Sequence, residues 1–127
     1  MISYFIYFII FGLIGWAIDT GYRFLHGGKE NTFIPHFALI YAIGGISLFI
    51  FYTQTTLHPF AHILIGGFSI TILEFAGGIF CIKFLGRRLW DYSTQPYNLF
   101  GHVDLQHLIY WFFLAALLRI ITPVLPI

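Results

Sequence analysis

The stretch FAHILIGGFSITILEFAGGIFCIKFL, residues 60–85, decides how this chain folds. Before Lys83 its one formal charge is Glu74. A membrane-spanning helix needs about 20 mostly apolar residues, and this run supplies them. Gly67, Thr71, Glu74, Gly78 and Cys81 recur at three- and four-residue steps, which predicts one small, polar stripe along a helix face. Small residues let neighbouring helices approach closely. Glu74 is therefore predicted to face protein rather than lipid.

Working outward, three more stretches qualify as apolar spans: residues 2–24, 37–52 and 105–121. The predicted fold is an all-α integral membrane protein, a single domain over residues 1–127. It has four transmembrane helices and a long polar-aromatic connection between the third and fourth. Composition agrees. Hydrophobic residues make up 59% of the 127 residues and charged residues 9%, against roughly 45–50% and about 25% in soluble domains. Mean hydropathy is +0.87. Six basic and five acidic side chains are too few to cover a soluble surface. A soluble enzyme, a disordered segment and a nucleic-acid binder are disfavoured together. The net charge of +1 offers nothing to a polyanion. The first stretch has no basic residue before Arg23 and no A-x-A-like cleavage site, so it reads as a retained helix.

The connections divide the polar residues unequally. Residues 26–35 form a short polar loop containing Lys29 and Glu30. Residues 53–59 form a tight uncharged turn at Pro59. Residues 86–104, GRRLWDYSTQPYNLFGHVD, form the long connection. Its Trp90, Tyr92, Tyr97 and Phe100 suit the headgroup layer. Arg23, Lys29, Lys83, Arg87 and Arg88 lie toward one face, and Arg119 toward the other. The positive-inside rule then places the first and third connections in the cytoplasm and both termini outside.

Ionisable groups inside a membrane cost about 2.5–3.5 kcal/mol each on insertion scales, so they need partners and are functional candidates. Glu74 reads either as a hydrogen-bonded glutamate joining helices or as a proton- or substrate-handling carboxylate. On the first helix, Gly12, Gly15, Asp19, Tyr22 and Arg23 form a second stripe, and Asp19 and Arg23 are spaced to pair. That pair is either a simple interfacial ion pair or part of a cavity shared with Glu74. The second helix offers Tyr41, Gly44, Gly45 and Leu48 as a close-packing face. The fourth carries His107, Trp111, Ala115 and Arg119 at four-residue steps, with Arg119 snorkelling to the outer surface.

No metal or cofactor is implied. His58 and His62 are four apart but have no third ligand nearby in sequence, and His36, His102 and His107, which gather toward the predicted cytoplasmic face, read as hydrogen-bonding interface residues. Cys81 is the lone cysteine, so there is neither a CxxC pair nor an internal disulfide. The chain has no GxxxxGK[ST] phosphate loop, no GxSxG elbow and no HExxH pair. Any coupling to ATP would come from a separate subunit.

One segment is distinctive. Glu74 is followed by Gly86, Arg88, Trp90, Asp91, Tyr92 and Ser93 in a G-x-R-x-W-D-Y-S pattern, then by Pro96, Asn98 and Gly101 in P-x-N-x-x-G. Gly15, Trp16 and Asp19, with Arg23 following, give a G-W-x-x-[acid] pattern. Together these resemble the small bacterial membrane family labelled putative ABC-transporter type IV, or CmpB-like, which has vertebrate transmembrane relatives. The family usually has Glu where this chain has Asp19. Its second helix tends to show Gly-Pro and Pro-Ile-Tyr-Gly, where this chain has Pro35, Ile40, Tyr41, Gly44 and Gly45. The resemblance implies a permease-like component in the bacterial cytoplasmic membrane.

Physically, the WDYS segment reads as a cap. Asp91 can accept charge-assisted hydrogen bonds from Arg87, Arg88 or Arg23. Ser93 and Asn98 can satisfy the backbone at a turn that Pro96 fixes. Gly101 allows a tight re-entry. The functional counterpart gathers Asp19, Arg23, Glu74, Arg87, Arg88, Asp91 and Asn98 around a polar pocket. Three functions stay open: a transport permease component, an intramembrane enzyme acting on a lipid or isoprenoid phosphate, and a non-catalytic assembly subunit. The expected partners are the lipid bilayer and a second copy or another membrane subunit, with no nucleic acid.

Overall fold

A computed structural model describes residues 1–28 and 34–127. The described residues form helices and no strand: α1 (Ile2–Leu25), α2 (Leu39–Gln54), α3 (Pro59–Phe80), a π-helical turn (Cys81–Leu85), α4 (Leu105–Ile121) and a 3₁₀ turn (Thr122–Val124). Lys29 and Glu30, read from sequence into the first connection, lie outside the described residues.

Three helical stretches are long and apolar enough to cross a membrane: Ile2–Leu25, Pro59–Leu85 and Leu105–Val124. The helix α2 is apolar but shorter, at 16 residues. At 1.5 Å per residue it reaches about 24 Å, against a hydrocarbon core of about 30 Å. It starts two residues after the predicted position because Phe37 and Ala38 are committed elsewhere. The Phe37 N–H closes a turn on Ile34 O at 3.2 Å, and the Ala38 N–H bonds Gly12 O at 2.9 Å. The side chains that face outward are large and apolar, including Phe5, Ile72, Phe113 and Ile120. Such a surface would drive association in water. Hydrocarbon solvates it, and these are the features of an integral membrane protein.

The helix ends follow local chemistry. Pro59 occupies the first turn of α3, where a missing N–H costs nothing. The π turn ends at Gly86, whose φ of 69° is the left-handed conformation that lets the chain leave the helix. Asp104 caps α4 by accepting from the His107 N–H at 2.7 Å. Pro123 ends the α-helical pattern of α4 and tightens it into the 3₁₀ turn.

The chain divides into two compact units: Met1–Ser47 with Pro126–Ile127, and Leu48–Leu125. In the first, α1 glycines admit side chains. Gly12 lies under the ring of Phe37 and Gly15 under Tyr41, while Gly45 receives Phe11. Tyr7 donates its hydroxyl to Pro126 O. In the second unit, the end of α2 packs on α3 and α4. Gly66 receives Leu48 and the Tyr52 hydroxyl, and Tyr52 also donates to Ala115 O at 3.3 Å. Gly67 receives Phe112, which meets Phe68 edge-on at 5.2 Å between ring centroids.

A Cβ on Gly67 would overlap the Phe112 ring. Gly67→Val is expected to lose about 1–3 kcal/mol of stability by overpacking. Thermal unfolding in detergent reads this out. The exposed neighbour Ser69→Val should stay within about 0.5 kcal/mol of the parent chain.

Candidate functional site

Glu74 lies on the inner face of α3 and is 4% exposed. Its Oε2 accepts from Trp111 Nε1 of α4 at 2.7 Å. Its Oε1 accepts from the Tyr92 hydroxyl at 2.9 Å. Glu74 therefore faces protein, as the α3 stripe predicted. Tyr92, expected at the headgroup layer, instead reaches inward from the long connection. Its ring stacks on His107 of α4, with centroids 3.9 Å apart and planes 12° apart. His107 Nδ1 lies 2.7 Å from Asp104 Oδ1. One carboxylate thus ties together α3, α4 and the connection between them.

The connection folds back on itself to deliver Tyr92. The Tyr92 N–H bonds Gly101 O at 2.9 Å, and the Leu99 N–H bonds Val103 O at 2.9 Å. Trp90 Nε1 donates to His102 O at 2.8 Å. Asn98 Nδ2 donates to Gln95 O at 2.9 Å, and Asn98 Oδ1 accepts from the Gly101 N–H at 3.0 Å. Arg88 Nη2 donates to Phe100 O at 3.0 Å. Gly101 sits at φ 71°, and a Cβ there would meet Asp91 Oδ1 at 2.7 Å and Arg88 Nη1 at 2.8 Å. Glycine satisfies both the backbone and the space without strain.

Arg88, one of the three arginines proposed for Asp91, pairs with it at 3.6 Å. Asp91 Oδ1 also accepts from the Ser93 N–H at 2.9 Å. That bond and the Ser93 side-chain bond hold the Asp91 carboxyl below its ordinary range, and Arg88 adds to the effect. Asp91 is largely exposed, whereas Glu74 is buried. In the described bonds Glu74 takes Trp111 and Tyr92, and Asp91 takes Ser93 and Arg88. Arg87 is exposed at the start of the connection. In the first unit, Arg23 Nε donates to Asp19 Oδ2 at 2.9 Å, the pairing their spacing predicts. Gly86, Pro96 and Ser93 are turn residues, and the Trp16 ring lies against that of His36 at 4.8 Å.

The sequence presents Trp111 and His107 as part of a helix face. Their four-residue spacing signalled the face but not that it meets Glu74. Asp104 and His102 were not singled out as site residues. His102 is buried against Gly78, where a side chain would collide with its ring. At the far end of α3, both ring nitrogens of His62 are engaged. Nε2 is 2.7 Å from Thr55 Oγ1, and Nδ1 accepts from Arg119 Nε at 3.0 Å.

His102 predicts a pH dependence. Burial, followed by the nearby Arg88, lowers its pKa from 6.5, and Asp91 opposes this. The folded connection therefore favours neutral His102. Its contribution is complete above the unfolded value and declines as pH falls toward the folded one. Unfolding temperature should drop between about pH 7 and about pH 5, and His102→Gln should flatten that part of the profile.

Searches of curated proteins and of solved structures give no match. A family model does match, over residues 6–126, and its description is "Putative ABC-transporter type IV". That range takes in α2 to α4 whole, α1 from Ile6 on, the WDYS connection and Glu74 with its donors. The chain belongs to this CmpB family.

Proposed function

We propose that this protein is a permease-like component of a membrane transport system, with Glu74 as its proton- or substrate-handling group. The observation that carries the reading is the unequal chemistry of the two donors. Trp111 Nε1 can only donate, so it keeps Oε2 an acceptor. The Tyr92 hydroxyl can donate or accept. With Glu74 ionised, Tyr92 donates to Oε1. With Oε1 protonated, the carboxyl donates to the tyrosine oxygen while Trp111 keeps its bond. Both protonation states retain both hydrogen bonds, and an exchangeable carboxyl in a membrane needs that tolerance.

The family's description supports transport as the process. In this reading the long connection is the cap over Glu74. The Arg88–Asp91 pair and Asn98 hold the cap closed, so those three residues position Tyr92. Access to Glu74 follows from release of the cap. Asp19 and Arg23 serve as a local ion pair of the first unit. A second copy or a partner subunit completes the pathway, since four helices enclose little room. The lysine and arginine bias supports a cytoplasmic position for the 86–104 connection.

Proteoliposome flux tests the reading. A panel of protons and small hydrophobic solutes is followed with wild type, Glu74→Gln and Tyr92→Phe. Glu74→Gln should abolish flux because it cannot carry the proton. Tyr92→Phe keeps the His107 stack but loses the reversible partner, and should slow flux by about 10²-fold, the low end for an acid–base group. Wild-type rates in folded Glu74→Gln would overturn the assignment.

A further inference from the structure

Arg119 raises a separate question, because it holds a permanent charge near the end of an apolar helix. Among the described residues no carboxylate pairs with it. Its one described hydrogen bond goes from Nε to His62 Nδ1 at 3.0 Å. His62 is 1% exposed, and its orientation is fixed in turn. Thr55 Oγ1 donates its hydrogen to Phe51 O at 2.7 Å, so toward His62 Nε2 it acts as acceptor. The proton of His62 therefore sits on Nε2, and Nδ1 is left to accept from Arg119. The rings of Phe51 and Tyr52 enclose the imidazole, with centroids 5.1 and 5.0 Å from it. Arg119 is thus oriented by a buried, neutral side chain that satisfies Nε and leaves the charge uncompensated.

The location gives the guanidinium its use. Arg119 lies five residues before Val124, the end of a span that starts at Leu105. At 1.5 Å per residue that is about 7 Å inside the end of the span, within snorkelling reach of the headgroup layer. This is the end where α2 stops and α3 begins, opposite the connection that covers Glu74. With Nε committed, the two terminal nitrogens form a planar fork. That fork matches two oxygens of a phosphate group. A lysine in this place would be a mobile point charge. We propose that Arg119, held by His62, is a binding site for a phosphate oxyanion at the membrane surface, supplied by a phospholipid headgroup or by free phosphate.

Two measurements on the full chain test this. The first compares phospholipid retention by native mass spectrometry for wild type, Arg119→Lys and Arg119→Gln. Loss of a charge-assisted bidentate contact should reduce retention of phosphatidylglycerol by about tenfold or more in Arg119→Gln, with Arg119→Lys between. Wild-type retention by folded Arg119→Gln would overturn the site. The second uses wild type alone, so it survives failure of the variants to fold. Phenylglyoxal modification of Arg119 is followed by peptide mass spectrometry in phosphatidylglycerol vesicles, in phosphate-free galactolipid vesicles, and in the latter with added inorganic phosphate. Protection of about fivefold in phosphatidylglycerol alone identifies the headgroup as the source, and protection by inorganic phosphate as well identifies the free ion. Equal rates in all three overturn the proposal.

Discussion

The Glu74 carboxylate constrains the second unit more than any other group. A carboxylate inside an apolar helix must be satisfied by protein, because hydrocarbon offers no hydrogen bonds. Its two oxygens look in different directions and draw donors from different elements, Trp111 of α4 and Tyr92 of the connection. The α3–α4 packing and the fold of the connection are therefore coupled through one side chain. Removing the acid would leave a buried indole N–H and a half-buried hydroxyl without that partner. The loss of stability from such groups is of order 1–3 kcal/mol each.

The connection owes its shape to delivering Tyr92. Asp91, Ser93, Asn98 and Gly101 are consumed in turns and backbone bonds. The described bonds of these residues, which look most chemical in the sequence, run to the chain itself. Arg88 does the same, bridging Phe100 O and Asp91. The distinctive pattern of this segment follows from geometry: a left-handed Gly101, tight against Asp91 and Arg88, admits few alternatives.

The helices were legible because hydropathy and length are local properties. Residues 105–121 read from sequence match α4, and residue 85 marks the end of the π turn that follows α3. The burial of Glu74 was legible for the same reason, since five residues at helical spacing define a face. Its partners were not. Tyr92 lies 18 positions away and Trp111 lies 37 away, joined to Glu74 through a connection whose fold depends on many weak backbone bonds. An aromatic residue beside charges reads as an interfacial anchor until that fold is known. The shift of α2 was hidden too, because the turn before it draws on Gly12 O of α1. His62 and Arg119 were each visible, but 57 positions separate them and neither spacing nor polarity links the two.

The two polar clusters of the second unit differ in whether their protons can move. Around Glu74, Trp111 is a fixed donor and Tyr92 can donate or accept, so the carboxyl can gain or lose a proton and keep both of these hydrogen bonds. Around Arg119, the charge is permanent and the tautomer of its neighbour is set by Thr55, whose own proton is committed to Phe51 O. Protonating His62 would break its bond with Arg119 and set two cations side by side. The first arrangement suits a group that changes state during a cycle. The second suits a group that must present the same charge at all times, as recognition of an anion at the membrane surface requires. In each cluster a neutral side chain sets the direction of a hydrogen bond: Trp111 donates to Glu74, and His62 accepts from Arg119.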